Sequence, residues 1–192
     1  MDAPKPYHHG DLKNALLDSG RMILEDEGLA SLSLRAVARR AGVSHAAPYR
    51  HFPNHGALLV ELALEGFSEL RSDIAAAAQA PYSCSDRIAH LGAAYMRFVA
   101  RRPALTRLMY GSQLPNRDSF PALREAADAV GDEFSRSLND NALGLAVWAA
   151  VHGLAMLVVE NVIDLGQTRS GLGVLPSRAE ILLRSLFTVE RE

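Results

Sequence analysis

The sequence contains a single cysteine, Cys84, among its 192 residues. One cysteine excludes a disulfide within the chain and is typical of a reducing compartment. The first residues, Met-Asp-Ala-Pro-Lys-Pro-Tyr, lack the apolar stretch of a signal peptide. These two absences predict a cytoplasmic protein.

The motifs of several enzyme classes are also absent. The chain has no G-x-S-x-G, no H-E-x-x-H and no glycine-rich phosphate loop. His51 and His55 are four residues apart, but Pro53 lies between them, so they are not expected to share a helix face around a metal ion. We therefore predict no catalytic residues, no metal site, no cofactor and no enzymatic activity.

Aromatic residues make up only 6% of the chain, alanine and leucine are abundant, and no window alternates in the way of a strand. This composition predicts an all-α fold of about nine helices. The expected parts are a flexible arm at 1–9, a helix-turn-helix domain at 10–53, a connecting helix at 54–80 and a helical domain at 81–192. Helices are expected within the last part at 85–100, 103–111, 119–138, 141–164 and 177–189.

Acidic residues are missing from one long window, although the net charge of the chain is −2. Between Gly28 and Val60 there is no aspartate or glutamate. The same window contains Arg35, Arg39, Arg40, Arg50, His45, His51 and His55. Because local charge decides where a polyanion binds, this window is the expected contact with nucleic acid.

The window also has the pattern of two short helices joined by a glycine turn. Ser33 is an expected N-cap, the apolar positions from Leu34 to Ala41 form one stripe, and Gly42 can adopt the positive φ of a sharp turn. Ser44 is expected to cap a third helix that ends near Phe52. This pattern predicts a helix-turn-helix. The alternative is a helical module that binds a small molecule or a partner without specific DNA binding.

Pro48 fits the start of this short third helix. It would be the fourth helical residue, where its missing N–H removes only the first regular hydrogen bond. The polar face would present Ser44, His45, Tyr49 and Arg50, and the short Ala46 and Ala47 would allow close approach to base edges.

Three stretches resemble the N-terminal domain of the TetR/AcrR family of bacterial transcriptional regulators. They are Tyr7-His-His-Gly-Asp-Leu12, "SLRAVARRAGVSHAAPYRHF" and Leu58-Leu59, so the resemblance covers roughly residues 7–65. It implies a three-helix DNA-binding domain, a connecting fourth helix and a variable helical domain that binds a small molecule and dimerises. The stretch "WAAVHGLA", from Trp148 to Ala155, is similar to the Trp-His-Gly signature of one C-terminal subtype.

The resemblance also implies roles for individual residues. Arg35 would contact a base or a phosphate, and the segment from His45 to His51 would supply base-facing and phosphate-binding side chains. The full expected set is Ser33, Arg35, Ser44, His45, Ala46, Ala47, Tyr49, Arg50, His51 and His55.

The family often has a lysine at the start of the fourth helix, where this chain has Asn54-His55-Gly56, and histidine is mostly neutral at pH 7. We therefore expect a weak or pH-dependent phosphate contact there. Arg39 and Arg40 are expected on a solvated face, and the ring of Tyr49 is expected to pack in the core as well.

Residues 142–159 contain a single polar side chain, His152. That histidine and the lack of flanking basic residues argue against a membrane span. A helix that is apolar all round needs cover on every side, so a second copy is expected to pack against it and against the last helix. The expected dimer contacts are Val147, Val151, Leu154, Val158, Leu182, Leu183 and Leu186. A two-fold dimer would suit a near-palindromic operator.

Trp148 and His152 are four residues apart and therefore share a helix face. An aromatic wall with one polar group suits a small, largely apolar or aromatic ligand, although a packed tryptophan and a satisfied core histidine would look the same. The expected ligand-binding residues are Phe67, Arg71, Tyr95, Phe98, Val99, Leu108, Met109, Tyr110, Trp148, His152 and Met156. The resemblance implies that such a ligand would release a repressor from double-stranded DNA, which is the usual mode of the family.

Overall fold

A computed structural model describes residues 12–114, 120–160, 162–163 and 175–187. Within these residues the chain is helical and contains no strand, which confirms the all-α prediction. The helices are α1 Leu12–Glu27, α2 Leu34–Arg40, α3 His55–Ala77, α4 Cys84–Arg101, α5 Pro103–Tyr110, α6 Pro121–Leu138, α7 Asn141–Val159 and α8 Leu175–Phe187. Short 3-10 helices occupy Leu29–Ser31 and Pro48–Arg50. The expected arm at 1–9 lies outside the described residues.

Side-chain caps explain where several helices begin. The Ser33 hydroxyl accepts a hydrogen bond from the Ala36 N–H at 3.1 Å, as the sequence predicts. Asn54 does the same for the first turn of α3, where its Oδ1 lies 2.9 Å from the Ala57 nitrogen. Such caps satisfy N–H groups that have no partner within the helix.

The turn after α2 has the expected glycine geometry. Gly42 has a φ of 69°, in the left-handed region. The Val43 N–H donates to the Ala38 carbonyl at 3.0 Å, and the Gly42 N–H donates to the Arg39 carbonyl at 3.2 Å. These two bonds form a Schellman motif, which ends α2 sharply and redirects the chain.

The third α-helix of the prediction is replaced by a turn and the 3-10 helix Pro48–Arg50. Pro48 has no N–H to donate to the Ser44 carbonyl, and that carbonyl accepts instead from the Ala47 N–H at 3.0 Å. The His51 N–H likewise donates three residues back, to the Pro48 carbonyl at 3.0 Å. The proline therefore favours the tighter 3-10 pattern, and the expected capping of an α-helix by the Ser44 side chain is wrong.

Helix α3 connects the elements before it, α1, α2 and the two 3-10 helices, with the helices α4 to α8 that follow it. We call the first group the N-terminal unit and the second the C-terminal unit. Its first half buries Leu58 and Leu62, which belong to one continuous core with Leu16, Leu24 and Phe52. Its second half buries Phe67, Leu70 and Ile74 and packs against α4, α5 and α6. One helix therefore carries side chains of both units.

Helix α7 is long and apolar enough to cross a membrane by length and composition alone. Only 33% of that apolar window is buried inside the chain. Val147 and Val151 are fully buried, whereas Leu145 and Leu157 are exposed. The helix therefore presents apolar side chains both to the core and to the outside.

Candidate functional site

The stretch from Ser33 to His55 carries the candidate DNA-binding surface. Tyr49 exposes 51% of its surface, so its ring points outward and does not pack in the core as expected. The expected residues that are exposed are Ser33, Arg35, Ser44, His45, Ala46, Tyr49, Arg50, His51 and His55, and Ala47 is half-buried. The chain therefore presents nearly the whole expected set to solvent.

Buried residues hold this surface in place. Pro48 is buried between the half-buried Ala47 and the exposed Tyr49, and Phe52 is completely buried. Phe52 belongs to the same core as Val37 of α2 and Leu58 of α3. The short segment that carries Tyr49 and Arg50 is thus anchored to both flanking helices.

The arginines of this surface fall into two groups. Arg40 is held by α1, because its guanidinium lies 2.7 Å from an Asp26 carboxylate oxygen and 3.2 Å from a Glu27 oxygen. Among the described residues no carboxylate forms an ion pair with Arg35 or Arg50. Arg35 and Arg50 are therefore available to phosphates or bases, as is the exposed Arg39, for which no ion pair with a described carboxylate is found either.

Four helices contribute to an aromatic–histidine cluster formed by Phe67, Tyr95, Tyr110, Trp148 and His152. The Tyr95 hydroxyl and His152 Nδ1 are 2.8 Å apart and form a hydrogen bond. The ring of Tyr110 lies 4.3 Å from that of His152 and meets Phe67 edge-on at 5.3 Å. Trp148 lies 6.3 Å from His152 between ring centroids. Sequence reasoning expected all five residues at a ligand site, and the fold brings them together.

Burial keeps Tyr95 protonated. Removal from solvent raises the pKa of its phenol well above the ordinary value of 10.0, and Tyr110 raises it further. The neutral hydroxyl therefore stays available for hydrogen bonding beside His152. The cluster offers a few polar groups inside an apolar wall, as small-molecule sites do.

Two glycines that sequence reasoning missed mark close packing, Gly131 against Trp148 of the cluster and Gly66 against Met109 beside it. A Cβ at Gly66 would lie 2.6 Å from Met109 Sδ, and a Cβ at Gly131 would lie 2.8 Å from Trp148 Cε3. Glycine inside a helix costs about 1 kcal/mol relative to alanine, so its presence there is a sequence signal for close packing.

Several other expected ligand residues have different surroundings. Arg71 is exposed, and its Nε lies 3.4 Å from a carboxylate oxygen of the buried Glu133, which Arg136 also contacts. Its guanidinium is thus engaged by α6. Met109 and the remaining residues Phe98, Val99 and Leu108 are buried in the core, and Met156 is half-buried.

A groove of about 490 Å³ reaches the cluster from outside, along α6 and α7. Trp148 and Leu145 form its apolar wall. Its polar rim consists of Asp128, Asp132, Ser135 and Asn141, none of which the sequence singled out. Trp148 thus lines the groove and also belongs to the cluster that contains His152.

The expected dimer contacts divide into buried and exposed residues. Val147, Val151, Val158 and Leu183 are buried in the chain's own core, so their assignment to a contact between chains is wrong. Leu154 is half-buried, and Leu182 and Leu186 are exposed. Three further apolar residues, Leu145, Leu157 and Ile181, are exposed on the same two helices.

Comparison with known families matches both parts of the chain. Residues 16–62 match the family described as bacterial regulatory proteins, tetR family. Residues 88–170 match a tetracyclin repressor-like C-terminal domain. The first match contains α2 and the Gly42 turn, and the second contains the aromatic–histidine cluster except Phe67.

Individual relatives agree with these matches. An HTH-type transcriptional regulator of Mycobacterium tuberculosis is 32% identical over 108 residues, which are 55% of this chain and 46% of that protein. The chain spans about half the length of the curated relatives that it matches.

Solved structures share the fold over nearly the whole chain. A protein of unknown function from Rhodococcus sp. RHA1 is 33% identical, with a TM-score of 0.75 and coverage of 94% of this chain and 97% of its own. A regulatory protein of the tetR family from Rhodococcus RHA1 has a TM-score of 0.71 at 19% identity, covering 90% and 95% of the two chains. At that identity the likeness shows the fold alone.

Proposed function

We propose that this chain, which belongs to the tetR family of bacterial regulatory proteins, is a cytoplasmic transcriptional regulator that releases DNA when a small molecule binds. The observation that carries this proposal is the exposed surface from Ser33 to His55, which contains no acid and whose Arg35 and Arg50 form no ion pair with a carboxylate of the described residues. We infer that it acts as a repressor, the usual mode of the family.

The geometry of the N-terminal unit supports reading of the major groove. In a helix-turn-helix the second element enters the groove with its first residues against the base edges. Here those residues are the exposed His45 and Ala46, and Tyr49 and Arg50 follow them. The small side chain of Ala46 suits close approach to the bases. The hydrogen-bonding side chains of Tyr49 and Arg50 suit contacts with phosphates.

Charge reversal at Arg35 tests the DNA-binding proposal. We expect Arg35→Glu to abolish binding to a DNA fragment that the wild-type protein selects, as measured by fluorescence anisotropy. Arg97→Glu makes the same charge change at an exposed position of α4 and should leave the affinity nearly unchanged. Equal binding by both variants would favour the alternative, a helical module without specific DNA binding.

A second copy of the chain is the proposed partner of α7 and α8. Leu145, Ala149, Gly153 and Leu157 recur every four residues along α7 and are all exposed. A Cβ at Gly153 would meet no atom within 4 Å, so this position leaves room for close approach of another helix. The exposed Ile181, Leu182 and Leu186 of α8 would extend the same contact. A two-fold dimer would hold two DNA-binding units about 34–36 Å apart.

The aromatic–histidine cluster is the proposed effector site. We infer a small, largely apolar or aromatic molecule with one polar group, which enters by the groove beside Trp148 and hydrogen-bonds to Tyr95 or His152. Calorimetric screening of the full chain should find binders of that kind, and Trp148→Ala should weaken them. Binding of highly charged metabolites only would overturn this assignment.

Release of DNA would follow from a population shift. DNA requires its two reading units at one spacing, and a ligand that prefers another spacing weakens DNA binding by its differential affinity. Helix α3 is one connection between the sites, because it begins beside the DNA-binding surface and carries Phe67 of the cluster.

A further inference from the structure

The first turn of α5 has no cap of its own. Its N-cap residue, Arg102, makes no side-chain cap hydrogen bond, and Pro103 occupies the first helical turn. The first N–H groups of a helix have no partner within it and need one from elsewhere.

Glu25 of α1 supplies that partner across the boundary between the two parts of the chain. Its Oε1 accepts a hydrogen bond from the Leu105 N–H at 3.0 Å, and its Oε2 accepts one from the Ala104 N–H at 3.2 Å. Hydrogen bonds to an ionised acceptor are stronger than neutral ones, and a helix N-terminus favours negative charge. We call this contact the Glu25 cap.

The other end of α5 is attached to the effector side of the molecule. The Arg107 guanidinium donates to the Val159 carbonyl at the end of α7, and its Nε lies 3.5 Å from a Glu160 oxygen. Tyr110, the last residue of α5, packs on His152. The eight residues of α5 therefore contact α1 at the start of the helix, and α7 and the aromatic–histidine cluster towards its end.

We propose that Glu25 is a positioning residue of the regulatory response, which joins α5 to α1 so that a shift of α5 moves the DNA-binding unit. This inference rests on the proposed function, since it names the residue through which the two sites communicate. A ligand at the cluster displaces Tyr110 and thereby α5, and the Glu25 cap passes the displacement to α1. Helix α5 thus forms a second connection beside α3.

The surroundings of Glu25 suit a contact that opens and closes. Burial raises the pKa of its carboxyl, while the two backbone bonds and the nearby Arg102 and Arg107 lower it only in part. Keeping the Glu25 carboxyl ionised at this position therefore costs free energy. A groove of about 430 Å³ borders Glu25 and is also lined by Asp18, Arg21, Met22, Asp26 and Arg102, so the carboxylate has space into which it can withdraw.

Amide hydrogen exchange at Ala104 and Leu105 tests the proposal on the full chain. The probe is a DNA fragment selected by the wild-type protein, added or omitted. DNA bound at the surface from Ser33 to His55 should also restrain α1, because α1 packs against α2 and α3. In the wild type, DNA should therefore slow exchange of both amides by at least about fivefold, the low end of usual coupling between sites. Glu25→Gln has one acceptor oxygen and no charge, and Glu25→Asp keeps the charge but is one methylene shorter. Both should exchange these amides equally with and without DNA.

Glu27→Gln is the matched control, because Glu27 lies on the same helix and pairs with Arg40 inside the DNA-binding unit. It should respond to DNA as the wild type does. A wild-type protein that binds its fragment without slower exchange at Ala104 and Leu105 would overturn the role of Glu25 alone, as would Glu25 variants that respond like wild type. A wild-type protein that selects no fragment would overturn the proposed function, and this inference with it.

Discussion

At the scale of single residues, the fold opposes the ionisation of Glu25. The pKa of its carboxyl is raised above the ordinary value of 4.5, mainly because the group is partly removed from water. The folded chain therefore binds this proton more tightly than the unfolded chain does. The resulting contribution to stability is complete below the ordinary pKa and is lost as the pH rises through the folded-state pKa.

Replacement of Glu25 by glutamine should remove this pH dependence. The free energy of unfolding of the wild type should fall relative to that of Glu25→Gln as the pH rises from about 4 to about 7. Urea unfolding followed by circular dichroism at several pH values measures the difference. A difference that is constant over this range, or that shifts in favour of the wild type, would contradict the account.

Gly42 is a second residue whose role can be measured. Its φ of 69° is unfavourable for residues with a Cβ, so Gly42→Ala should lower the free energy of unfolding by about 1–2 kcal/mol. Gly42→Asn should cost less, because asparagine tolerates the left-handed region. Urea unfolding of the two variants measures both losses, and equal losses would mean that the backbone conformation is not their cause.

Two residue roles that depend on neighbours in the chain were predicted correctly from the sequence, although the equally local Ser44 cap was not. The Ser33 cap and the Gly42 turn are of this kind, because caps and turns are formed by residues within three to five positions. The Glu25 cap could not be predicted, since it joins residues 79 and 80 positions apart and depends on how α1 meets α5.

At the scale of helices, the buried side of α7 could not be predicted from the sequence. The excess of apolar residues was predicted, but Val147 and Val151 were expected at the dimer interface and lie in the chain's own core. In a helix that is apolar all round, no polar stripe marks the side that faces solvent. The helical period of the apolar residues predicted where α7 lies in the sequence, but it did not predict which face of the helix is buried.

The outer face of α7 should control assembly. Leu145→Glu combined with Leu157→Glu places two charges on the exposed apolar stripe and should convert the proposed dimer into a monomer with an intact fold. Light scattering measures the mass, and circular dichroism the helix content. Ala122→Glu adds a charge at an exposed position of α6 and should leave the dimer intact. A doubly substituted protein that keeps the dimer mass would exclude this face as the interface.

At the scale of the whole molecule, two helices of the described residues connect the N-terminal unit with the aromatic–histidine cluster. Helix α3 runs through both parts, and α5 joins them through Glu25 at its first turn and Tyr110 at its end. Because both connections are made by packed helices, a displacement at one site can change the position of the other. By linkage, each ligand must then change the affinity for the other by the same factor.

This reciprocity can be measured once an effector is known. The effector should weaken binding of the selected DNA by a factor in the usual range of about 5–150, and that DNA should weaken effector binding by the same factor. Calorimetric titration of the effector with and without DNA measures the second value. Equal effector affinity in both conditions would exclude the population-shift mechanism.

The most direct measurement is the selection of bound fragments from the source genome by the full chain, at low and at moderate salt. We expect a near-palindromic sequence that is retained at moderate salt, with two half-sites about one helical turn apart. Fragments without a common sequence, bound only at low salt, would show that the basic surface attracts phosphates without reading bases, and would contradict the proposed regulator.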